Sequence, residues 1–237
     1  RSPMELDPRS PHARLAQLFD ADTLPSSLAI FGRDGAALAL AQALARLSIP
    51  TMLIADGDLL PGEDPEQTAI VTRALTRDGV AIHTQADVQS AARDRDGCVR
   101  LALQASGHAT MIEAAAFLAT TAARPALDDL GLAAAGIGSS AAGIRVDHRL
   151  RTDNPAIYAI GPVAALPFND TLHSGQAQAE CAIKQILFRL PVPFQPRAMA
   201  RIIATDPEMA AVGLTEDEAR RDHGAIARGW KGTGRRN

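Results

Sequence analysis

A turn of small and charged residues follows the first apolar segment of the chain and is the strongest candidate for binding chemistry. It runs from Gly32 to Ala37 and reads Gly-Arg-Asp-Gly-Ala-Ala. A turn that holds a dinucleotide pyrophosphate usually has the pattern Gly-x-Gly-x-x-Gly/Ala, because the glycines let backbone N–H groups at a helix N-terminus approach the phosphates. Gly32 and Ala37 fit the first and third positions. The pattern therefore predicts a dinucleotide turn in which one position is altered.

The altered position is Asp34, which stands where the second glycine is expected. A carboxylate about 4 Å from a phosphate costs about 4 kcal/mol at an effective dielectric constant of about 20. Weak dinucleotide binding is the expected result, unless Gly35 shifts the turn by one residue. The alternative interpretation is a turn between a strand and a helix that binds nothing.

Asp56 is the second candidate for binding, and it directly follows the next apolar segment of the chain. In dinucleotide-binding domains an acidic residue about 20 residues beyond the glycine turn holds the ribose hydroxyls of NAD. The position of Asp56 fits this role. A nicotinamide dinucleotide is thus the cofactor that the two candidates share.

The segments around these residues predict alternating strands and helices. The strands are Ser27–Phe31, Thr51–Ala55 and Val80–Thr84, and the helices are Ala36–Leu47 and Pro65–Thr76. Such alternation is typical of a parallel sheet covered by helices, which places the chain in the α/β class with a Rossmann-like fold.

The remainder of the chain is more irregular. Asp96-Gly97 predicts a hairpin turn between Ala86–Arg93 and Cys98–Ala105. Further strands are predicted at Phe117–Thr121, Ala141–Ile144, Ile157–Ile160 and Ile202–Ala204, a helical turn at Asp128–Gly136 and a long helix at Gln176–Leu190. A last helix begins after Thr215, because Glu218 lies three residues on and completes a capping-box pattern.

Five segments together resemble the flavin-dependent pyridine nucleotide-disulfide oxidoreductases, with dihydrolipoamide dehydrogenases and mercuric reductases the most similar by pattern. The segments are Pro25–Leu47, Leu59–Glu66, Phe117–Pro125, Gly143–Gly161 and Ala204–Arg220. The last contains the run TDPE-x-x-x-VGLTE-x-EA, which is the most specific of them. The resemblance covers residues 24–222 in unbroken order.

The resemblance implies a domain map. Residues 24–121 correspond to the NAD(P)-binding domain, residues 122–190 to the second segment of the FAD-binding domain and residues 191–222 to the start of an α+β dimerisation domain, between a disordered leader (1–23) and a disordered tail (223–237). FAD and NAD(P) are the implied cofactors. A homo-oligomer is expected, because residues 122–190 and the strand at Ile202–Ala204 would have unpaired strand edges.

The resemblance also implies which residues face a flavin. These are Ala122, Gly161, Thr171, Leu172 and His173. Two departures weaken this site: Thr120-Thr121-Ala122 replaces the family's Ala-Thr-Gly, and Pro162 replaces the Asp that meets the flavin's ribityl and phosphate region. Proline can neither accept that hydrogen bond nor donate one from its backbone.

The family's catalytic groups lie outside the matching residues. Its first flavin segment, with the phosphate loop and the redox cysteine pair, would precede Leu24, and its acid-base pair of His and Glu would follow Arg221. We therefore expect part of an oxidoreductase that passes a hydride from NAD(P)H through FAD to a disulfide or similar acceptor, inactive alone and without a catalytic residue of its own. A non-catalytic nucleotide-binding or dimerisation module is the alternative, and a fragment without a selected function is a third.

The composition of the 237 residues is that of an ordinary globular protein: 46% are hydrophobic, 22% are charged and the net charge is −3. This balance argues against a nucleic-acid binder. Cys98 and Cys181 have no nearby partner cysteine, so no metal site is predicted and a reduced, cytoplasmic chain fits best. No apolar run reaches the roughly 18–20 residues that span a bilayer.

Overall fold

The computed structural model describes Leu18 and residues 23–105, 108–120, 125–167 and 172–224. The chain divides into two compact units, one of Arg1–Ala123 with Ile202–Met209 (unit 1) and one of Arg124–Arg201 with Ala210–Asn237 (unit 2). Most of the predicted leader and tail lies outside the described residues. Leu18, within the predicted leader, is helical and only 4% exposed, and it packs in the core of unit 1.

Unit 1 is built around a parallel sheet. Its elements are β1 (Leu28–Phe31), α1 (Gly35–Arg46), β2 (Thr51–Ile54), α2 (Pro65–Arg77), β3 (Ala81–His83), β4 (Ala86–Arg93), β5 (Val99–Ala105), β6 (His108–Ala114) and β7 (Ala116–Ala119). Four of the strands form the parallel sheet in the order β3-β2-β1-β7. The predicted Rossmann-like alternation is confirmed.

Local sequence signals fix where the two helices begin. Asp34 caps α1, and Asp64 caps α2 with Pro65 at the first helical position. Pro65 suits this position because its missing N–H would have no partner within the helix. Apolar faces of the helices then pack with one face of the sheet, where Ile30, Leu38, Leu53, Val71 and Leu75 are buried.

The opposite face of the parallel sheet is covered by an antiparallel sheet of order β4-β5-β6. In β5 the alternating residues Val99, Leu101 and Leu103 are buried against Ala29 and Ile54. The predicted hairpin is confirmed, and Gly97 has the positive φ of +87° that its turn requires. Strand β6 was not predicted, because most of its side chains are exposed and its apolar residues do not alternate clearly.

Gln42 ties α1 to the segment of unit 1 that comes from the distant residues 202–209. Its side chain is 3% exposed, and its Oε1 accepts from the Asp206 N–H at 2.8 Å. Its Nε2 lies 2.8 Å from both the Asp206 carbonyl oxygen and Asp78 Oδ2. The Gln42 hydrogen bond, followed by that of Arg46, lowers the pKa of Asp78.

Replacing Gln42 with leucine should lower the free energy of unfolding by about 2 kcal/mol, because it leaves polar groups of the 206 segment without partners. Chemical denaturation would measure this. The matched control is Arg77→Gln, which removes an exposed cation 3.7 Å from Asp78 and should change stability by less than about 0.5 kcal/mol. Equal effects of the two variants would contradict the role given to Gln42.

Acid should weaken the same contact. The pKa of Asp78 is lowered on folding, so the stability that its carboxylate contributes is present above its unfolded pKa of about 4. That contribution is lost as the pH falls through the lower folded value. We expect the difference in stability between the wild type and Asp78→Asn to shrink between about pH 5 and pH 2, as measured by denaturation at each pH.

Unit 2 is less regular. It contains β8 (Ser139–Ser140), β9 (Gly143–Ile144) and the long helix α3 (Leu172–Phe188). The prediction of a strand at Ile157–Ile160 is wrong, since among the described residues this segment makes only one isolated bridge, from Tyr158 to Arg151. The predicted helical turn at Asp128–Gly136 is confirmed in part, since the Ala135 N–H donates to the Gly131 carbonyl at 3.1 Å. Helix α3 begins four residues before the predicted start.

The last described elements are β10 (Arg201–Ile203), β11 (Met209–Ala211) and α4 (Glu216–His223). β10 and β11 form a two-stranded sheet. The predicted capping box is confirmed: Thr215 Oγ1 accepts from the Glu218 N–H at 3.3 Å, and the Thr215 N–H donates to Glu218 Oε2 at 2.9 Å. This backbone donor lowers the pKa of Glu218.

Candidate nucleotide-binding site

Gly32 directly follows β1 and packs against Ala37 of α1 and against Thr120, the residue after β7. Its N–H donates to the Ile54 carbonyl at 2.9 Å, which ties the end of β1 to β2. A Cβ at Gly32 would overlap Thr120 Oγ1 and would lie 3.0 Å from both the Ala37 Cβ and the Thr120 carbonyl oxygen. The first glycine of the motif is therefore fixed by packing, whatever the turn binds.

Asp34 places its carboxylate directly on the N-terminus of α1. Its backbone is extended, and its Oδ1 accepts from the Ala37 N–H at 2.8 Å. This is the ordinary geometry of an N-cap, in which a side-chain oxygen takes the place that an external anion would otherwise occupy. A negative charge is thus already bound at the position where the motif would hold a phosphate.

Gly35 does not replace Asp34 in the turn, because it is the first residue of α1. A Cβ at Gly35 would lie 2.9 Å from Ile203 Cγ1, so this glycine makes room for an apolar side chain from the 202–209 segment. The expectation that Gly35 could shift the turn by one residue has no support in this geometry.

Asp56 forms an ion pair with Arg33, at 3.4 Å between its Oδ1 and the arginine Nε. The two side chains are 46% and 44% exposed, so the pair contributes little to stability. Arg33 also crosses Gly57, where a Cβ would lie 2.6 Å from its guanidinium nitrogen. Sequence reasoning missed Arg33, although an arginine inside the glycine turn was a visible signal.

A cavity of about 730 Å³ lies beside this ion pair. The lining combines Arg33 with the 58–63 loop, one face of α2 that includes Thr68, Thr72 and Arg73, and Thr84 beyond β3. Ligands of open α/β sheets bind at the carboxyl ends of the strands. The cavity is in that place and has the size of a small-molecule site.

A second glycine turn, in unit 2, contains the predicted flavin residue Gly161. It has a φ of +72°, and its N–H donates to Gln178 Oε1 at 2.7 Å. Gln178 is fully buried, and its Nε2 donates to Ser174 Oγ at 3.0 Å. Gln178 was missed by sequence reasoning, although a polar residue on the apolar side of a helix is a usable signal.

Of the other four residues predicted to face a flavin, the structure describes two. His173 is exposed on α3, and Leu172 is the first residue of that helix. Ala122 and Thr171 lie outside the described residues.

The two cysteines show no sign of redox pairing. Both are free, and burial raises the pKa of Cys181, whose thiol donates to the Val192 carbonyl at 3.0 Å. Within the described residues, no group of three or more His, Cys, Asp or Glu side chains could hold a metal ion. No described helix has the length and hydropathy needed to cross a lipid bilayer.

Comparison with known protein families gives a direct assignment. The model of the pyridine nucleotide-disulphide oxidoreductases matches residues 10–185. The chain belongs to this family. The predicted resemblance to dihydrolipoamide dehydrogenases and mercuric reductases is confirmed by the individual relatives below.

Relatives in the family are much longer than this chain. A dihydrolipoyl dehydrogenase of Thermus scotoductus is 33% identical over 204 residues, which are 84% of this chain and 43% of that protein. A mercuric reductase of Acidithiobacillus ferrooxidans is 34% identical over 205 residues, or 85% of this chain and 36% of that protein. The chain thus spans less than half the length of these relatives.

Solved structures agree with this assignment. LpdA from Mycobacterium tuberculosis superposes with a TM-score of 0.78 at 26% identity, covering 90% of this chain and 45% of that one. The HOCl-induced flavoprotein disulfide reductase RclA from Escherichia coli, solved as a Cu(II) complex, superposes with a TM-score of 0.75 at 23% identity and shares the fold.

The family's two cofactors fit the described residues unequally. Unit 1 offers a dinucleotide three suitable features: the N-terminus of α1 for its phosphates, Asp56 of the Arg33–Asp56 pair for its ribose, and the adjoining cavity. The Asp34 carboxylate, however, competes with the phosphates for the helix N-terminus. The Gly161 turn does not fit a flavin phosphate, because Pro162 lacks an N–H and the Gly161 N–H is bonded to Gln178.

Proposed function

We propose that this chain forms the nicotinamide-nucleotide-binding part of a flavin-dependent oxidoreductase. In this proposal residues 24–121 bind NAD(P)H, residues 122–190 form the second segment of the FAD-binding domain and residues 191–222 begin a dimerisation domain. Support comes mainly from one observation. Strand β1 of the parallel β3-β2-β1-β7 sheet leads through a short turn into the N-terminus of α1, in a chain that belongs to the family.

The proposal assigns a binding role to the start of α1, to Gly32 and to Asp56. The N–H groups at the start of α1 face the pyrophosphate, and Gly32 makes the tight turn that leads from β1 into this helix. Asp56 accepts the ribose hydroxyls once Arg33 turns away from it. No hydride step is assigned to the Gly161 turn, because its described residues do not fit a flavin phosphate.

We expect the chain alone to bind NAD(H) weakly and to transfer no hydride, because of two residues. Asp34 sets a carboxylate against the phosphates, and Pro162 removes a polar contact from the flavin turn. The same two residues favour the alternative function, a non-catalytic nucleotide-binding or dimerisation module. We further propose a homo-oligomer, because Ile202 is a large apolar side chain exposed on β10. The two free cysteines support a reducing, cytoplasmic location.

Titration of the purified chain with NADH, followed by the nucleotide's fluorescence, tests nucleotide binding. We expect saturable binding with a Kd between about 0.1 and 1 mM, where 1 mM corresponds to about −4 kcal/mol. Absence of saturation up to 10 mM would overturn the proposed function. The absorbance spectrum after gel filtration tests the flavin site: we expect a colourless protein, and about one equivalent of bound FAD would contradict a weak flavin site.

A further inference from the structure

A second pocket lies within residues 124–201 of unit 2, at the C-terminal end of α3. It encloses about 480 Å³, and we call it the arginine pocket because Arg149, Arg151 and Arg189 line it. Tyr158 and Gln185 supply further polar atoms. The remaining lining is mostly apolar: Pro155, Ala156, Ile186, Leu190 and Pro191.

The described residues that line this pocket give it three positive charges, and the nearby carboxylate of Asp147 interacts electrostatically with Arg151 alone of the three. No carboxylate of the described residues lines it, and none of its three guanidinium groups forms an ion pair with the described residues. The nearby Asp147 carboxylate accepts from the backbone N–H groups of Arg149 and Arg151, at 2.8 and 2.9 Å. Clustered cations that outnumber their counter-charges favour a bound anion.

One of these arginines is already held in place by the pocket itself. Arg151 Nε donates to Tyr158 Oη at 2.9 Å, and its guanidinium lies 5.6 Å from the centre of the Tyr158 ring. A cation fixed in this way needs little reorganisation to receive a ligand.

Two buried polar atoms of residues that line the pocket have no hydrogen-bond partner among the described residues: Arg149 Nε, a donor, and Gln185 Oε1, an acceptor. Gln185 is only 4% exposed, and its Nε2 donates to the Arg149 carbonyl at 2.9 Å, which fixes the orientation of the amide. Buried polar atoms normally have partners. A hydroxyl group can accept a hydrogen bond from a donor such as Arg149 Nε, and it can donate one to an acceptor such as Gln185 Oε1.

We propose that the arginine pocket binds a phosphate monoester that carries hydroxyl groups, as a sugar phosphate does. The phosphate dianion matches clustered guanidinium groups, which bind its oxygens with charge-assisted hydrogen bonds. Hydroxyl groups of the ester pair with Arg149 and Gln185, and Ile186 and Leu190 form an apolar part of the pocket lining. This site is independent of the nucleotide site in unit 1.

Isothermal titration calorimetry with D-glucose 6-phosphate tests the proposal on the full chain. We expect a Kd below about 1 mM at low salt, with at least tenfold weaker binding of inorganic phosphate and of glucose. Arg149→Gln and Arg189→Gln should each weaken the binding at least tenfold. Arg189 is exposed, so its substitution leaves the packing of α3 intact.

The matched control is Arg197→Gln, which makes the same change of charge in unit 2 outside the pocket, where Arg197 pairs with Asp222 at 3.0 Å. It should change the Kd less than twofold. The proposal is overturned by an absence of saturable binding, which would mean that water satisfies Arg149 and Gln185. Equal affinity for inorganic phosphate, or a tenfold loss in Arg197→Gln, would also overturn it.

Discussion

Replacing Asp34 with serine should raise the affinity of the chain for NADH at least tenfold. The substitution removes a carboxylate that accepts from the Ala37 N–H at 2.8 Å, while the serine hydroxyl still caps α1. Removing a charge about 4 Å from a phosphate is worth up to about 4 kcal/mol at an effective dielectric constant of about 20, so tenfold is the lower bound of the expected gain. Fluorescence titration with NADH measures it.

Two further variants separate the charge of Asp34 from its capping role. Asp34→Asn keeps a cap without the charge and should reproduce the gain in affinity, whereas Asp34→Glu keeps the charge and should not. Asp34→Gly should also bind at least tenfold more tightly, at a cost of a few tenths of a kcal/mol in helix stability. Unchanged affinity in the serine, asparagine and glycine variants would show that the α1 N-terminus is not the phosphate site.

Replacing Gly32 with alanine should destabilise unit 1 by about 3 kcal/mol, which corresponds to a fall of roughly 10 °C in Tm. The added Cβ would overlap Thr120 Oγ1 and press on the Thr120 carbonyl oxygen and the Ala37 Cβ, each at 3.0 Å. Backbone atoms of a parallel sheet cannot move away without breaking its ladder. Thermal unfolding followed by circular dichroism would measure the loss.

Gly175→Ala is the control for this effect, since a Cβ at Gly175 would have no described heavy atom within 4 Å. Gly175 lies inside α3, where alanine is favoured over glycine by up to about 1 kcal/mol. We therefore expect Gly175→Ala to keep or raise the Tm. If Gly175→Ala lost as much stability as Gly32→Ala, the loss in Gly32→Ala could not be attributed to the close packing around Gly32.

The parts of the fold that could be predicted are those that depend on nearby residues. The βαβαβ alternation follows from short apolar segments separated by helix formers, and the hairpin follows from Asp96-Gly97. The capping box of Thr215 and Glu218 needs only residues three positions apart. Each of these features therefore appears in the structure within a few residues of its predicted place.

The parts that could not be predicted depend on distant residues. Strand β6 exists because β5 offers it a complete edge, while its own pattern is mostly polar. The Gln42–Asp206 bonds join residues 164 positions apart, and Gln178 reaches the Gly161 N–H from a helix 17 positions away. Asp34 is the instructive case at the site: the sequence identified a repulsive charge, and the structure adds that this charge is held in place by the helix that it caps.

The central claim, that the turn after β1 is the nicotinamide-nucleotide site, is tested most directly by an NMR titration of the ¹⁵N-labelled chain with NADH. We expect the largest saturable changes in amide shift at Gly35, Ala36 and Ala37, with smaller ones near Asp56 and little change in residues 139–166 of unit 2. Saturable changes confined to unit 2, with the amides of residues 32–38 unmoved at saturation, would contradict the claim.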